Sequence, residues 1–148
     1  MPSTHTSLHY HIVFSTKNRD RMIATEWKDD LFRYLGGVVK GLDGVPLQIG
    51  GTADHVHLLL GLRATHCIAD VVRDIKSASS KWAGEQGRRN RFAWQEGYGA
   101  FTVSRSNIDE VRHYVATQEE HHAEVSYETE YRTLLDRHEV EYDERFLW

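Results

Sequence analysis

His55 and His57 are separated by one residue in the run Ala53-Asp54-His55-Val56-His57-Leu58-Leu59. Alternate residues of an extended strand project from one face, so their Cα atoms stand roughly 6.5–7 Å apart with parallel side chains. Two imidazoles so placed can converge on one metal ion, and Asp54 can orient a ring from behind. Val56 then points to the opposite face and anchors the strand in the core. By ligand type alone, imidazole nitrogen favours zinc or copper. His9 and His11 make a second alternating pair. They read as ordinary sheet-face residues, and they line the same groove only if the two strands are neighbours.

A metal pair needs a further ligand and a reactive group. Tyr114 and Gln118 are four apart, so on a helix they project from one face, one above the other. On a helical wheel they flank the stripe Ile108, Val111 and Val115. His121 continues that flank and His122 lies one position round, so either can stand in for Gln118 as third ligand. A phenol with a pKa of about 10 attacks only with help from a metal or a base. Tyr98, in a Gly-flanked segment, is the rival phenol, but it has no ligand partner at helical spacing.

Several elements must position these residues. The aromatic and β-branched run 8–15 predicts a first strand. Thr25 is placed to cap a helix in which Trp27, Leu31, Leu35, Val38 and Leu42 recur at helical spacing. Residues 45–51 predict a short strand, with Pro46 near its start where a lost N–H matters least. Residues 55–62 predict a largely buried third strand. A second helix carries the stripe Ile68, Val71, Val72, Ile75 and Trp82 and breaks between Gly84 and Arg91. Residues 92–94 and 98–104 look extended. Ser106-Asn107-Ile108-Asp109 reads as a capping box opening a third helix over roughly 107–123. A short charged helix follows at about 127–138. The order predicts an α+β fold: a ferredoxin-like β-α-β-β-α-β antiparallel sheet with helices on one face plus C-terminal helices, as a single domain over 1–148.

Composition narrows the partners. The chain has 148 residues, one cysteine and a net charge of −4, which excludes a strongly basic DNA-coating protein and an internal disulfide framework. The N-terminus lacks the pattern of a secretory signal, and no apolar run approaches a membrane span, so the expected location is cytoplasmic. The charge is uneven. Residues 105–148 hold 12 acidic and 5 basic side chains, while residues 73–91 are the most basic stretch, with Arg73, Lys76, Lys81, Arg88, Arg89 and Arg91. A local basic patch can hold phosphates on an acidic chain. Trp82 and Trp94 are candidates to stack extruded bases, although Trp82 also completes a core stripe.

The runs 53–59, 92–104 and 114–122, with the opening 11–19 and the closing 141–148, resemble the single-tyrosine HUH transposases of the insertion sequence 200/605 family. The likeness spans nearly the whole chain, in order. It implies that His55, His57 and Gln118 bind a divalent metal, Mg²⁺ or Mn²⁺. It also implies that Tyr114 attacks a phosphodiester of single-stranded DNA at hairpin-marked element ends, through a 5′-phosphotyrosine link. Similar enzymes are homodimers, so the resemblance also implies a site assembled in trans. Replication initiators with the same histidine pair commonly carry a lysine three or four residues after the tyrosine. Thr117 and Gln118 stand there in this chain, which favours the transposase branch. The alternative is a domesticated relative that binds or nicks DNA hairpins without transposition.

Overall fold

The computed structural model describes residues 3–85 and 92–148, so Arg88, Arg89 and Arg91 lie outside the described residues. The elements are β1 (His9–Ser15), α1 (Thr25–Gly41), β2 (Val45–Gly51), β3 (His55–Gly61), α2 (Ile68–Glu85), β4 (Gly99–Thr102), α3 (Ile108–Ala116), α4 (Gln118–His122) and α5 (Tyr127–Arg137). The four strands form one antiparallel sheet in the order β2-β3-β1-β4. This is the expected β-α-β-β-α-β arrangement, with β1 and β3 paired at the centre.

Alternation along the two central strands divides the molecule. Ile12, Phe14, Val56, Leu58 and Leu60 face α1 and α2 and join Trp27, Leu31, Leu35, Val72 and Ile75 in the larger apolar cluster. Val13 and Leu59 point the other way. There Val13 and Phe101 meet Tyr127, Tyr131, Leu134 and Leu135 of α5, while Leu59 meets Ile108 and Val115 of α3. Helices therefore cover both faces, and the C-terminal helices lie against the face that carries His11, His55 and His57.

The third helix departs from expectation. It breaks at Thr117, where φ is −110° and ψ is 32°, giving α3 and α4 in place of one helix over 107–123. Side chains compete with the backbone ladder at this point. Thr117 Oγ1 donates to the His113 carbonyl at 2.9 Å, and Gln118 Nε2 donates to the Tyr114 carbonyl at 3.0 Å. No capping box forms either: a 3-10 turn over Arg105–Asn107 precedes α3, and Asn107 makes no side-chain cap. At the first helix Ala24 takes the cap position and Thr25 is already helical.

Gly50 sets how closely α3 approaches the sheet. A Cβ at that position would collide with the Val115 carbonyl oxygen, so only glycine lets the tyrosine-bearing helix seat against β2.

Candidate active site

β3 delivers His55 and His57 fully buried, with their rings 5.1 Å apart at 72°. Each ring is held through its Nδ1. His55 Nδ1 donates to Asp54 Oδ1 at 2.7 Å, and Thr52 Oγ1 lies 3.0 Å from the same nitrogen. Burial alone would raise the Asp54 carboxyl, but its contact with His55 outweighs this and holds it below its usual value. His57 Nδ1 lies 2.7 Å from His11 Nε2, and the two rings stack at 4.9 Å. Both Nε2 atoms are thereby turned toward the C-terminal helices. An imidazole whose Nδ1–H is engaged presents the Nε2 lone pair to a metal.

Those helices bring five more groups. Gln118 is 1% exposed, and its Oε1 sits 3.2 Å from His55 Nε2. Its amide orientation follows from the hydrogen bond to the Tyr114 carbonyl. Glu130 of α5 is 3% exposed. Its Oε1 lies 2.9 Å from His57 Nε2, 3.6 Å from His55 Nε2 and 3.0 Å from His122 Nε2. Its Oε2 accepts the Tyr114 hydroxyl and lies 3.3 Å from His121 Nε2. The Tyr114 hydroxyl and the histidine pair thus meet on one carboxylate within one chain.

Electrostatics follows from this crowding. Burial would raise the Glu130 carboxyl, yet its close contacts with the His122 and His57 rings, and with the Tyr114 hydroxyl, hold it well below the carboxylate range. Burial pushes His57 down to about 4, against the pull of Glu130. Burial, reinforced by His57, pushes His11 down to about 3. Burial and the Glu130 carboxylate push the Tyr114 hydroxyl up, so the phenol keeps its proton until that negative charge is taken up elsewhere. Burial opposes a charge on His122, but Glu130 outweighs it and raises that ring.

The side chains fit a divalent cation. His55 and His57 Nε2, His122 Nε2 and a Glu130 oxygen lie within 4.8 Å of one another. His122 Nε2 is buried and makes no aligned hydrogen bond, although Oε1 is close. Gln118 Oε1 aims an acceptor at a nitrogen whose own lone pair faces it. Acceptors pointed at acceptors are what a cation relieves. Tyr114, His121, Glu130 and Arg137 also line a cleft of about 550 Å³, which gives the phenol access to a ligand.

The structure brings together His55, His57, Tyr114 and Gln118 as expected, and adds His11, Glu130 and both His121 and His122. His9 is not among the residues contacting this cluster. Glu130 was missed, although it occupies a position of the α5 stripe Tyr127, Tyr131, Leu134 and Leu135. A carboxylate within an apolar stripe is the signal that could have found it.

The basic helix differs from its reading. The Lys76 ammonium donates to the carbonyls of Gln95, Glu96 and Gly97 at 2.8, 3.2 and 2.6 Å. It also lies over the Phe14 ring, and burial pushes it down to about 8. It clips α2 to the segment before β4 and is not free to meet a phosphate. Replacing it with Met is expected to lower unfolding stability by about 1–3 kcal/mol, as loss of a charged hydrogen-bonding group does. The salt dependence of hairpin binding should stay unchanged, where losing a phosphate contact would reduce its slope by about 1. Trp94 is buried and donates to Ser79 Oγ at 2.9 Å, so it is a core residue and not a stacking platform. Trp82 packs on Trp27 and Tyr34. Arg73 is exposed and pairs with Asp70 and Asp74, and Lys81 is exposed.

The four-stranded antiparallel sheet with its flanking helices matches the fold of a solved transposase. The model of the IS200-like transposase family matches residues 4–118, and the chain belongs to that family. The ISDra2 transposase TnpA of Deinococcus radiodurans is 26% identical over 126 residues, covering 75% of this chain and 84% of that protein. A crystal structure of a candidate transposase from Deinococcus radiodurans R1 superposes with a TM-score of 0.66 at 25% identity, covering 78% and 93% of the two chains. A REP-associated tyrosine transposase bound to a REP hairpin shares the fold, with a TM-score of 0.54 at 15% identity, over 78% and 68% of the chains. Among the described residues no helix is long and apolar enough to cross a membrane.

Proposed function

We propose that this transposase cuts and rejoins single-stranded DNA beside hairpins at element ends, with Tyr114 as nucleophile. The observation that carries the reading is the meeting of the Tyr114 hydroxyl and the His57 ring on the Glu130 carboxylate. The phenolic oxygen attacks the scissile phosphorus, a new P–O bond joins Tyr114 to the 5′ side, and the bond to the 3′ oxygen breaks. The proton lost by the phenol is balanced by the one gained by the departing 3′ hydroxyl. Attack by a 3′ hydroxyl on the phosphotyrosine reverses these steps and rejoins strands, because the bond energy is kept in the link.

His55, His57 and Gln118 would hold the divalent ion, Mg²⁺ or Mn²⁺. The chemistry supplied there is neutralisation of charge on the phosphoryl oxygens. Asp54 and His11 hold the two rings in register from behind. The cleft beside Tyr114 admits the strand, and Arg73 and Lys81, with Arg88, Arg89 and Arg91, are the proposed phosphate contacts. Hairpin recognition is supported by the likeness to the hairpin-bound relative.

The test is incubation with a single-stranded hairpin oligonucleotide and Mn²⁺ or Mg²⁺, followed by denaturing electrophoresis. A covalent protein–DNA adduct that chelator abolishes is the expected result. Hairpin binding with no cleavage under any metal would leave a binding protein in its place.

The nucleophile sits against the histidines of its own chain, which supports chemistry in cis; a homodimer then serves to hold two DNA ends together. A mixture of the Tyr114→Phe and His57→Ala proteins is therefore expected to form no adduct. Adduct restored in the mixture would mean that each site borrows its tyrosine from a partner.

A further inference from the structure

We propose that Glu130 is itself a metal ligand and that its carboxylate bridges the ion and the nucleophile, with Oε1 on the metal and Oε2 on the Tyr114 hydroxyl. This rests on the reading of the site as a metal-dependent nuclease. It adds a ligand from α5, beyond the residues 4–118 that the family model matches.

Three observations carry it. Oε1 stands within 3.6 Å of all three Nε2 atoms, those of His55, His57 and His122, which places it at the centre of the nitrogen cluster. Buried carboxylates are rare without a compensating charge, and Glu130 is the one carboxylate among the buried polar residues described. Among the described residues no lysine or arginine forms an ion pair with it; the titratable nitrogens beside it are those of His55, His57, His121 and His122. His122 Nε2, buried without an aligned hydrogen bond, faces the same oxygen. A divalent cation satisfies all of these groups at once, whereas hydrogen bonds among them cannot.

The second oxygen gives the arrangement its consequence. Because Oε2 accepts the Tyr114 hydroxyl, a carboxylate fixed on the ion fixes the phenol beside it. Glu130 thereby positions the nucleophile relative to the metal without touching the DNA. Gln118 brings its Oε1 to 3.2 Å from His55 Nε2 and holds α4 to α3 through the Tyr114 carbonyl.

The probe is metal alone. Mn²⁺ binding is measured by loss of the free-ion electron paramagnetic resonance signal, and Co²⁺ binding by its visible d–d bands, on the full chain. Glu130→Gln keeps the shape and a hydrogen-bonding partner for Tyr114. It is expected to weaken Mn²⁺ at least about tenfold, a conservative figure since even outer partners of metal ligands are worth that much. It is also expected to shift the Co²⁺ bands, as removal of an anionic ligand must. Glu130→Asp, which keeps the charge but shortens the reach, serves as second variant if the amide fails to fold, and the same two shifts are expected of it. Tyr114→Phe should bind both ions as the unaltered protein does.

Weaker binding with unchanged Co²⁺ bands would reduce Glu130 to a distant charge and overturn the proposal. So would full Mn²⁺ affinity in Glu130→Gln when His57→Ala has lost it; in that case the nuclease reading stands. An unaltered protein that neither binds Mn²⁺ nor forms an adduct would remove both.

Discussion

Tyr114→Phe is expected to abolish the covalent adduct, with a loss of at least about 10³-fold, the scale on which removal of a nucleophile acts. Only one oxygen is deleted. The ring still packs edge-on against His11 and His57, at 5.9 and 5.7 Å between ring centres, so the fold and the histidine pair stay in place. Hairpin affinity should be retained, since the variant removes no cation. The measurement is adduct formation over time on a hairpin oligonucleotide, beside hairpin binding and thermal unfolding of the same preparation. Tyr127 is the nearest competing phenol, stacked on His55 at 4.4 Å. Its ring is 5% exposed and its hydroxyl is buried without a hydrogen bond. An adduct that survives in Tyr114→Phe would transfer the nucleophile to Tyr127 and overturn the assignment.

The second large effect is acid sensitivity of the chelator-treated protein. His11 and His57 are held neutral down to about 3 and about 4, from an ordinary value of 6.5. In the unfolded chain both rings take up a proton below about 6.5. Unfolding therefore binds protons between roughly pH 6.5 and 4, and stability must fall as pH falls through that window. Each ring contributes a slope of about 1.4 kcal/mol per pH unit at its steepest. Glu130, whose folded value is depressed, adds further loss once the pH drops below its unfolded value of 4.5. His122 acts with the opposite sign: its raised value gives stability that is fully present below 6.5 and is lost as the pH rises. Denaturant unfolding at a series of pH values reads this directly. His11→Gln should flatten the slope by one proton, and an unaltered slope in that variant would contradict the buried neutral ring.

The sheet was legible because its two central strands are short, nearly continuous apolar runs bounded by polar residues and glycine. Val56, Leu58 and Leu60 on one side, and His55, His57 and Leu59 on the other, announce both the strand and its faces. Tyr114 and Gln118 were legible as a helical pair at four-residue spacing. The break at Thr117 was not, because it falls where the Gln118 side chain takes the Tyr114 carbonyl, a contact that helical spacing does not announce. His11 looked like a sheet-face residue because its partner, His57, is 46 residues away and becomes its neighbour only through the β1–β3 register. Glu130 was hidden for a related reason: its role depends on α5 folding back across the strand face. Lys76 was misread as a phosphate contact because charge pattern says nothing of which carbonyls an ammonium will find.

The sheet separates two duties. The face toward α1 and α2 buries the larger apolar cluster and contains neither the proposed nucleophile nor any proposed metal ligand. The opposite face holds the reactive groups over two smaller clusters. Substitutions that erase the chemistry thus fall where little of the folding energy resides. A descendant of this chain can retire as a catalyst and persist as a stable scaffold, and the erosion would be read first at Tyr114 and Glu130, long before the hydrophobic side of the sheet changed.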